Sequence, residues 1–214
     1  MSDFTIIIGN KNYSTWSLRP WLALKHTGVA FEEVLVVLGQ DDTPENLKKV
    51  SPTGKVPVLK TPVGDIWDSL AICEYLAETF PEARLWPEAA AARAHARAVS
   101  AEMHSGFATV RSMMPMDLRT SQPTPGMTGG LATEISRIDQ VWQECRNRFG
   151  QGGPYLFGSF SIADCMFAPV VGRFAGYGVS VSDVSQNYIN TMFLNPGMAE
   201  WVAAAKVEPW EIEQ

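Results

Sequence analysis

The 214-residue sequence predicts an α/β half over residues 1–82 followed by an all-helical half over residues 88–214. Three observations carry this. Strand-like and helix-like segments alternate through the first eighty or so residues. Pro81-Glu82-Ala83-Arg84-Leu85-Trp86-Pro87 then breaks the pattern as a linker. Beyond it, apolar residues recur at helical spacing with almost no strand signal.

Taken in order, Thr5 to Ile8 is a short β-rich run, and Trp16 to His26 carries Leu18, Trp21 and Leu22 at helical spacing before a stop at Gly28. Phe31 to Leu38 is β-branched and apolar. Pro44 to Val50 reads as a short helix ending in the turn Ser51-Pro52-Thr53-Gly54. Val56–Leu59 and Val63–Trp67 are strands separated by Thr61-Pro62, close enough for a hairpin in a mixed sheet. Asp68 to Phe80 is a helix with an acidic N-cap and apolar positions Ile72, Leu76 and Phe80. In the second half, Val99, Met103, Phe107, Val110 and Met114 form one stripe over Glu88–Met114, and Leu131, Ile135, Ile138, Trp142, Cys145 and Phe149 form another. Shorter helices begin at Ser161 and Pro196.

Composition removes several classes of function. A net charge of -6, with no cluster of Lys or Arg, argues against nucleic acid and anionic membranes as partners. No apolar run approaches the roughly 20 residues of a membrane span. Met1-Ser2-Asp3 lacks the basic start of a secretory signal. Cys73, Cys145 and Cys165 are odd in number and lie in apolar helical patterns, as reduced core thiols of a cytoplasmic protein do. His26, His95 and His104 are too scattered to form a metal site, so no metal is expected.

Three stretches carry chemistry. In Lys55-Val56-Pro57-Val58-Leu59, proline belongs at a strand edge. With a cis Val56–Pro57 bond, the Val56 backbone is offered to an extended peptide ligand; with a trans bond this is a plain edge strand. Asp68-Ser69 opens a helix whose N-terminus suits a carboxylate while Asp68 meets an ammonium, or else Asp68 is simply a cap. Tyr13-Ser14-Thr15-Trp16-Ser17 sets four hydroxyls ahead of a helix whose first turn holds Pro20. These hydroxyls either donate to an anion or form a capping cluster.

In this order and at these separations the stretches resemble the glutathione S-transferase family over nearly the whole chain. Tyr13 to Leu24 is similar to the serine-type first-helix motif, closest to the zeta class, with Trp16 where that class has a cysteine. Asn46-Leu47 through Leu59 resembles the stretch carrying the family's cis-proline, Asp68 to Leu76 its "E/Q-S-x-A-I-x-x-Y-L", and Ser161-Ile162-Ala163-Asp164 its helical-domain capping box.

The resemblance implies a thioredoxin-like N-terminal domain, a helical C-terminal domain, glutathione as co-substrate and a homodimer. It implies that the Ser14 hydroxyl stabilises the glutathione thiolate, with Thr15 and Ser17 as alternative donors. Val56, Pro57, Asp68 and Ser69 would hold the tripeptide, and Gln40 or Lys55 its glycyl carboxylate. Conjugation to a small electrophile is the implied reaction. A glutathione-dependent isomerase of zeta type, a peroxidase, and a non-catalytic assembly module are the alternatives.

Trp16, His104 and Arg111 are expected to face the electrophile. His104 and Arg111 are seven residues apart on one expected helix, each one position beyond a member of the apolar stripe. Both are also placed to be a solvated flank paired with acids such as Glu102.

Overall fold

The computed structural model describes residues 2–212; positions 1 and 213–214, the outer ends of the two expected ranges, lie outside the described residues. Strands β1 (Thr5–Ile8), β2 (Glu32–Leu35), β3 (Val58–Thr61) and β4 (Gly64–Trp67) form a sheet of order β2-β1-β3-β4. β1 runs parallel to β2 and antiparallel to β3, and β3 pairs antiparallel with β4. Helices α1 (Thr15–Thr27), α2 (Thr43–Val50) and α3 (Ser69–Thr79) complete a thioredoxin-like half. A short 3₁₀ turn, Pro81–Ala83, leads to an all-helical half: α4 (Ala90–Ser105), α5 (Ala108–Met113), α6 (Gly129–Phe149), α7 (Ile162–Gly176), α8 (Asp183–Leu194) and α9 (Pro196–Val207).

The local signals act as their chemistry dictates. α1 stops at Gly28, which takes the left-handed conformation (φ 75°) that lacks a steric penalty only for glycine. The β3–β4 turn centres on Pro62-Val63, one residue later than expected. Thr61 pairs with Gly64, and the Thr61 hydroxyl donates to the Gly64 carbonyl at 2.8 Å. β2 is shorter than the apolar run Phe31–Leu38, since only Glu32–Leu35 pair with β1 and the chain then turns at Gly39.

α7 begins at the expected capping box. The Asp164 carboxylate accepts from the Ser161 backbone N–H at 2.8 Å, and its other oxygen reaches the Leu156 N–H at 3.1 Å.

The helix expected over Glu88–Met114 is two helices. α4 ends at Gly106, Phe107 turns left-handed (φ 59°), and α5 starts at Ala108. The Arg111 guanidinium folds back and donates to the carbonyls of Gly106 (2.9 Å) and Met103, both freed at the end of α4. The break drives Phe107 and Val110 into the core.

One apolar core runs through both halves. α1 is its keystone, packed against α3 on one side and α7 on the other, with Leu18, Trp21, Leu22 and Leu24 buried. Each such side chain contributes about 1.5–3 kcal/mol through burial, so α1 is held firmly enough to fix what its N-terminus presents.

Candidate functional site

The N-terminus of α1, the β3 entry and the N-terminus of α3 converge on a cavity of about 570 Å³. It is lined by Trp16 of α1, by Thr53, Lys55, Val56 and Pro57 of the loop entering β3, by Trp67, Asp68 and Ser69 where β4 meets α3, and by His104 of α4. The loop is fixed by Ser51. Its hydroxyl donates to the Lys55 carbonyl (2.6 Å) and accepts from the Lys55 N–H (3.1 Å), and the following Val56–Pro57 bond is cis.

Asp68 stands at φ 74° and ψ 133°, a sparsely populated backbone conformation that costs a non-glycine residue about 1–3 kcal/mol. Its two oxygens divide the work. Oδ1 caps α3, accepting from the N–H groups of Leu70 (2.8 Å) and Ala71 (3.2 Å), while Oδ2 lies 3.1 Å from His104 Nε2. Capping and availability for a cation are therefore both properties of Asp68. Ser69 beside it is 1% exposed, and its hydroxyl has no partner among the described residues.

Gly9 and Ser17 shape the start of α1. The Gly9 N–H donates to Ser17 Oγ at 3.1 Å, and Ser14 Oγ donates to the same oxygen at 2.8 Å. A Cβ on Gly9, just after β1, would sit 2.5 Å from the end of the Leu38 side chain and 3.2 Å from the Ser14 side chain, so a larger residue here would have to push Leu38 aside and crowd Ser14.

Of the residues expected from the sequence, Lys55, Val56, Pro57, Asp68, Ser69, Trp16 and His104 share this one cavity. Trp16 and His104 meet edge to face at 5.4 Å, in the same space as the residues expected to hold a tripeptide. Arg111 is not a free flank on the helix of His104. It caps α4, and its guanidinium carbon lies 4.7 Å from the Trp16 ring centre, with Arg19 at 4.3 Å. Burial lowers the affinity of both guanidinium groups for their protons. Glu102, the acid expected beside them, pairs instead with Arg137 at 2.7 Å. Gln40 is separate too. Its backbone N–H donates to the hydroxyl of Thr43, the first residue of α2, and it lines another cavity with Leu35 and Trp210. The turn at Gly39 carries it there.

Sequence reasoning missed the residues that hold the loop before α1. Both Glu208 carboxylate oxygens accept backbone N–H groups, from Lys11 (2.7 Å) and Asn12 (3.0 Å). The Asn12 side chain donates to Asp117 (2.9 Å) and accepts from the Leu118 N–H (2.7 Å), and Arg119 donates to the Tyr13 phenol oxygen. These partners lie more than a hundred residues from the loop, beyond any local pattern. Thr53 and Trp67, by contrast, adjoin motifs already noticed.

The three cysteines are buried and unpaired, and burial pushes the Cys145 thiol up to about 12 and the other two upward as well. Among the described residues no group of His, Cys, Asp and Glu could hold a metal ion, and no helix is long and apolar enough to cross a membrane.

Comparison with known proteins agrees with this architecture. A family model described as "Glutathione S-transferase, N-terminal domain" matches residues 13–79, and one described as "Glutathione S-transferase, C-terminal domain" matches residues 88–204. A probable maleylacetoacetate isomerase of Caenorhabditis elegans is 38% identical over 159 residues, 72% of this chain and 73% of that protein. The maleylacetoacetate isomerase of Mus musculus is 36% identical over 78% of this chain and 76% of its own length. Among solved structures, the holo form of maleylpyruvate isomerase, a bacterial zeta-class enzyme, superimposes with a TM-score of 0.73 at 22% identity, covering 96% of this chain and 98% of its own. With both halves matched in order and relatives of this identity spanning most of its length, the chain belongs to the glutathione S-transferase family.

Proposed function

We propose that the chain is a glutathione-dependent enzyme and that its reaction is the cis–trans isomerisation of a conjugated, oxygen-rich acid. The observation that carries glutathione use is the buried, unpartnered Ser69 hydroxyl at the start of α3, on the cavity shared with Asp68 and Val56. A hydroxyl at a helix N-terminus suits a carboxylate, an adjacent carboxylate suits an ammonium, and together they match the γ-glutamyl head. The Val56 backbone suits the cysteinyl residue, and Lys55 the glycyl carboxylate.

The ligand's sulfur then lies toward the start of α1. A thiol with a pKa near 8.5 is only a few per cent ionised at neutral pH. Lowering it by about two units takes roughly 2.7 kcal/mol. Turned from Ser17 Oγ onto the sulfur, the Ser14 hydroxyl contributes about 1.5–3 kcal/mol as a charge-assisted donor and the α1 N-terminus roughly 0.3–1, so no general base is required. Ser14→Ala should leave glutathione affinity within a few fold while raising the bound thiol's pKa by about one unit or more, as read from thiolate absorbance. An unchanged titration would pass the role to Thr15 or Ser17.

Relatives named as maleylacetoacetate isomerases support isomerisation over conjugation. A thiolate adds reversibly to a conjugated double bond, the resulting single bond rotates, and elimination returns the thiolate. The test is a cis-configured unsaturated diketo acid with glutathione. Isomerisation gives the trans acid with glutathione recovered in full; conjugation consumes one glutathione per turnover.

The homodimer is part of this proposal. Val63 and Trp67, exposed on the β3–β4 hairpin, supply apolar surface for an interface. At micromolar concentration, light scattering should give twice the chain mass.

A further inference from the structure

The carboxylate oxygen suited to a ligand's ammonium is already engaged from the other half of the chain. Asp68 Oδ1 is taken by the N–H groups of Leu70 and Ala71, which leaves Oδ2 to face the cavity. Among the described residues the one partner of Oδ2 is His104 Nε2, at 3.1 Å. Asp68 is the only acid among the residues lining this cavity, so an incoming ammonium and the imidazole are directed to the same oxygen.

His104 is held in that place. It is the penultimate residue of α4, and the Arg111 guanidinium, reaching back from α5, donates to the carbonyls of Met103, His104 (3.4 Å) and Gly106. The Trp16 ring meets the imidazole edge to face at 5.4 Å. Nδ1 is buried without a partner among the described residues, so Nε2 is the nitrogen that can answer a charge in the cavity. The charged groups around the imidazole are Asp68 at the start of α3, Lys55 from the loop entering β3, and Arg19 and Arg111, which stack on the Trp16 ring from α1 and α5. On its own helix, Glu102 is turned to Arg137. Asp68 is the one anion of that set.

We infer that His104 is the specificity-determining residue of the head-group pocket: in the empty protein it occupies the seat on Asp68 that a ligand's ammonium must take, and when charged it keeps that ammonium out. The inference rests on the glutathione-dependent reading above and adds the regulation of that same site. A neutral imidazole and an ammonium can share one carboxylate oxygen, since a carboxylate accepts about four donors over its two oxygens. An imidazolium and an ammonium on the same oxygen bring two like charges within hydrogen-bond range of each other. Imidazole is the side chain that changes charge between about pH 5 and 8, so the pocket admits the γ-glutamyl head in neutral solution and rejects it in mild acid.

The test compares glutathione with glutaryl-Cys-Gly, which keeps the head-group carboxylate and lacks the ammonium, by calorimetry at pH 7.5 and pH 5.5. Between these values wild type should lose about tenfold in affinity for glutathione beyond any change seen with the analogue. His104→Gln keeps a neutral donor for Asp68 and cannot take up a proton, so its loss should stay below about threefold. His104→Phe keeps a ring against Trp16. At pH 5.5 it should bind glutathione about tenfold more tightly than wild type, and glutaryl-Cys-Gly no more tightly. Parallel pH profiles for wild type and both variants overturn the inference, because the charge on His104 then never reaches the ligand. Equal tightening for both ligands also overturns it, because the substitution has then only widened the cavity. Weaker glutathione binding by His104→Phe at both pH values does so as well, since His104 would then be a support for Asp68. If wild type binds glutathione at neither pH, the glutathione-dependent reading falls and this inference with it. Normal binding at pH 7.5 with no loss particular to the ammonium-bearing ligand removes this inference alone.

Discussion

Asp164→Ala lowers the stability of the fold by about 3–5 kcal/mol, and the melting temperature by roughly 10 °C or more for a chain of this size. Asp164 is fully buried, and its carboxylate serves two backbone donors, the N–H groups of Leu156 and Ser161. Alanine leaves both buried and unsatisfied, at about 1–3 kcal/mol each, and removes half of the box that starts α7. Ser161→Ala, which spares the carboxylate, should cost only about 1 kcal/mol. Calorimetric melting of the two variants checks the ordering; equal losses would place the effect in the serine hydroxyl.

The pH dependence of this residue has an unusual sign. Burial outweighs the hydrogen bonds and pushes the Asp164 carboxyl up to about 6. The native state therefore holds this proton more tightly than the unfolded chain, where the carboxyl titrates near 3.9. The cost of ionising the buried group is absent below about pH 4 and fully present above about pH 6. Wild type should thus gain stability relative to Asp164→Ala as pH falls from 7.5 to 5.

Ser69→Ala weakens glutathione binding by about 10- to 100-fold, the loss of one hydrogen bond to a charged group. The serine is buried with its hydroxyl free of protein partners, so alanine removes a ligand contact and breaks nothing inside the fold. Turnover at saturating glutathione should hardly change, in contrast to Ser14→Ala. Asp68→Asn separates the two roles of that side chain. The amide oxygen still caps Leu70 and Ala71, so the melting temperature holds, while the lost charge raises the dissociation constant severalfold. A melting temperature that fell with affinity would mean that the charge serves the helix and not a ligand.

What could be seen in the sequence was local. The stop at Gly28, the turn after Ser51, the Ser161–Asp164 box and the Asp68–Ser69 helix start each depend on residues within a few positions, and each formed where its chemistry requires. The break at Gly106–Phe107 was hidden because the apolar stripe continues across it, from Met103 to Val110. The Arg111 guanidinium that caps α4 comes from the far side of the break, so spacing alone presented it as a flank. Gln40 was misplaced by a single turn, at Gly39. The loop before α1 was the least visible, since Asp117, Arg119 and Glu208 reach it from more than a hundred residues away.

That last arrangement governs when the protein can first work. Glu208 is 196 residues beyond Asn12. At about 5–20 residues per second, the ribosome adds Glu208 roughly 10–40 s after Asn12. Once Trp67 has been added, the nascent chain can carry the complete four-stranded sheet, yet the loop leading to Ser14 still lacks its clasp. The N-terminal half can thus acquire its shape early, but its loop is set only after residue 208 has been added. A messenger cut short, or a ribosome stalled, between residues 67 and 208 leaves a polypeptide with a recognisable sheet and an unset loop, so quality control acting on such truncations removes molecules whose defect lies far along the chain from the damage.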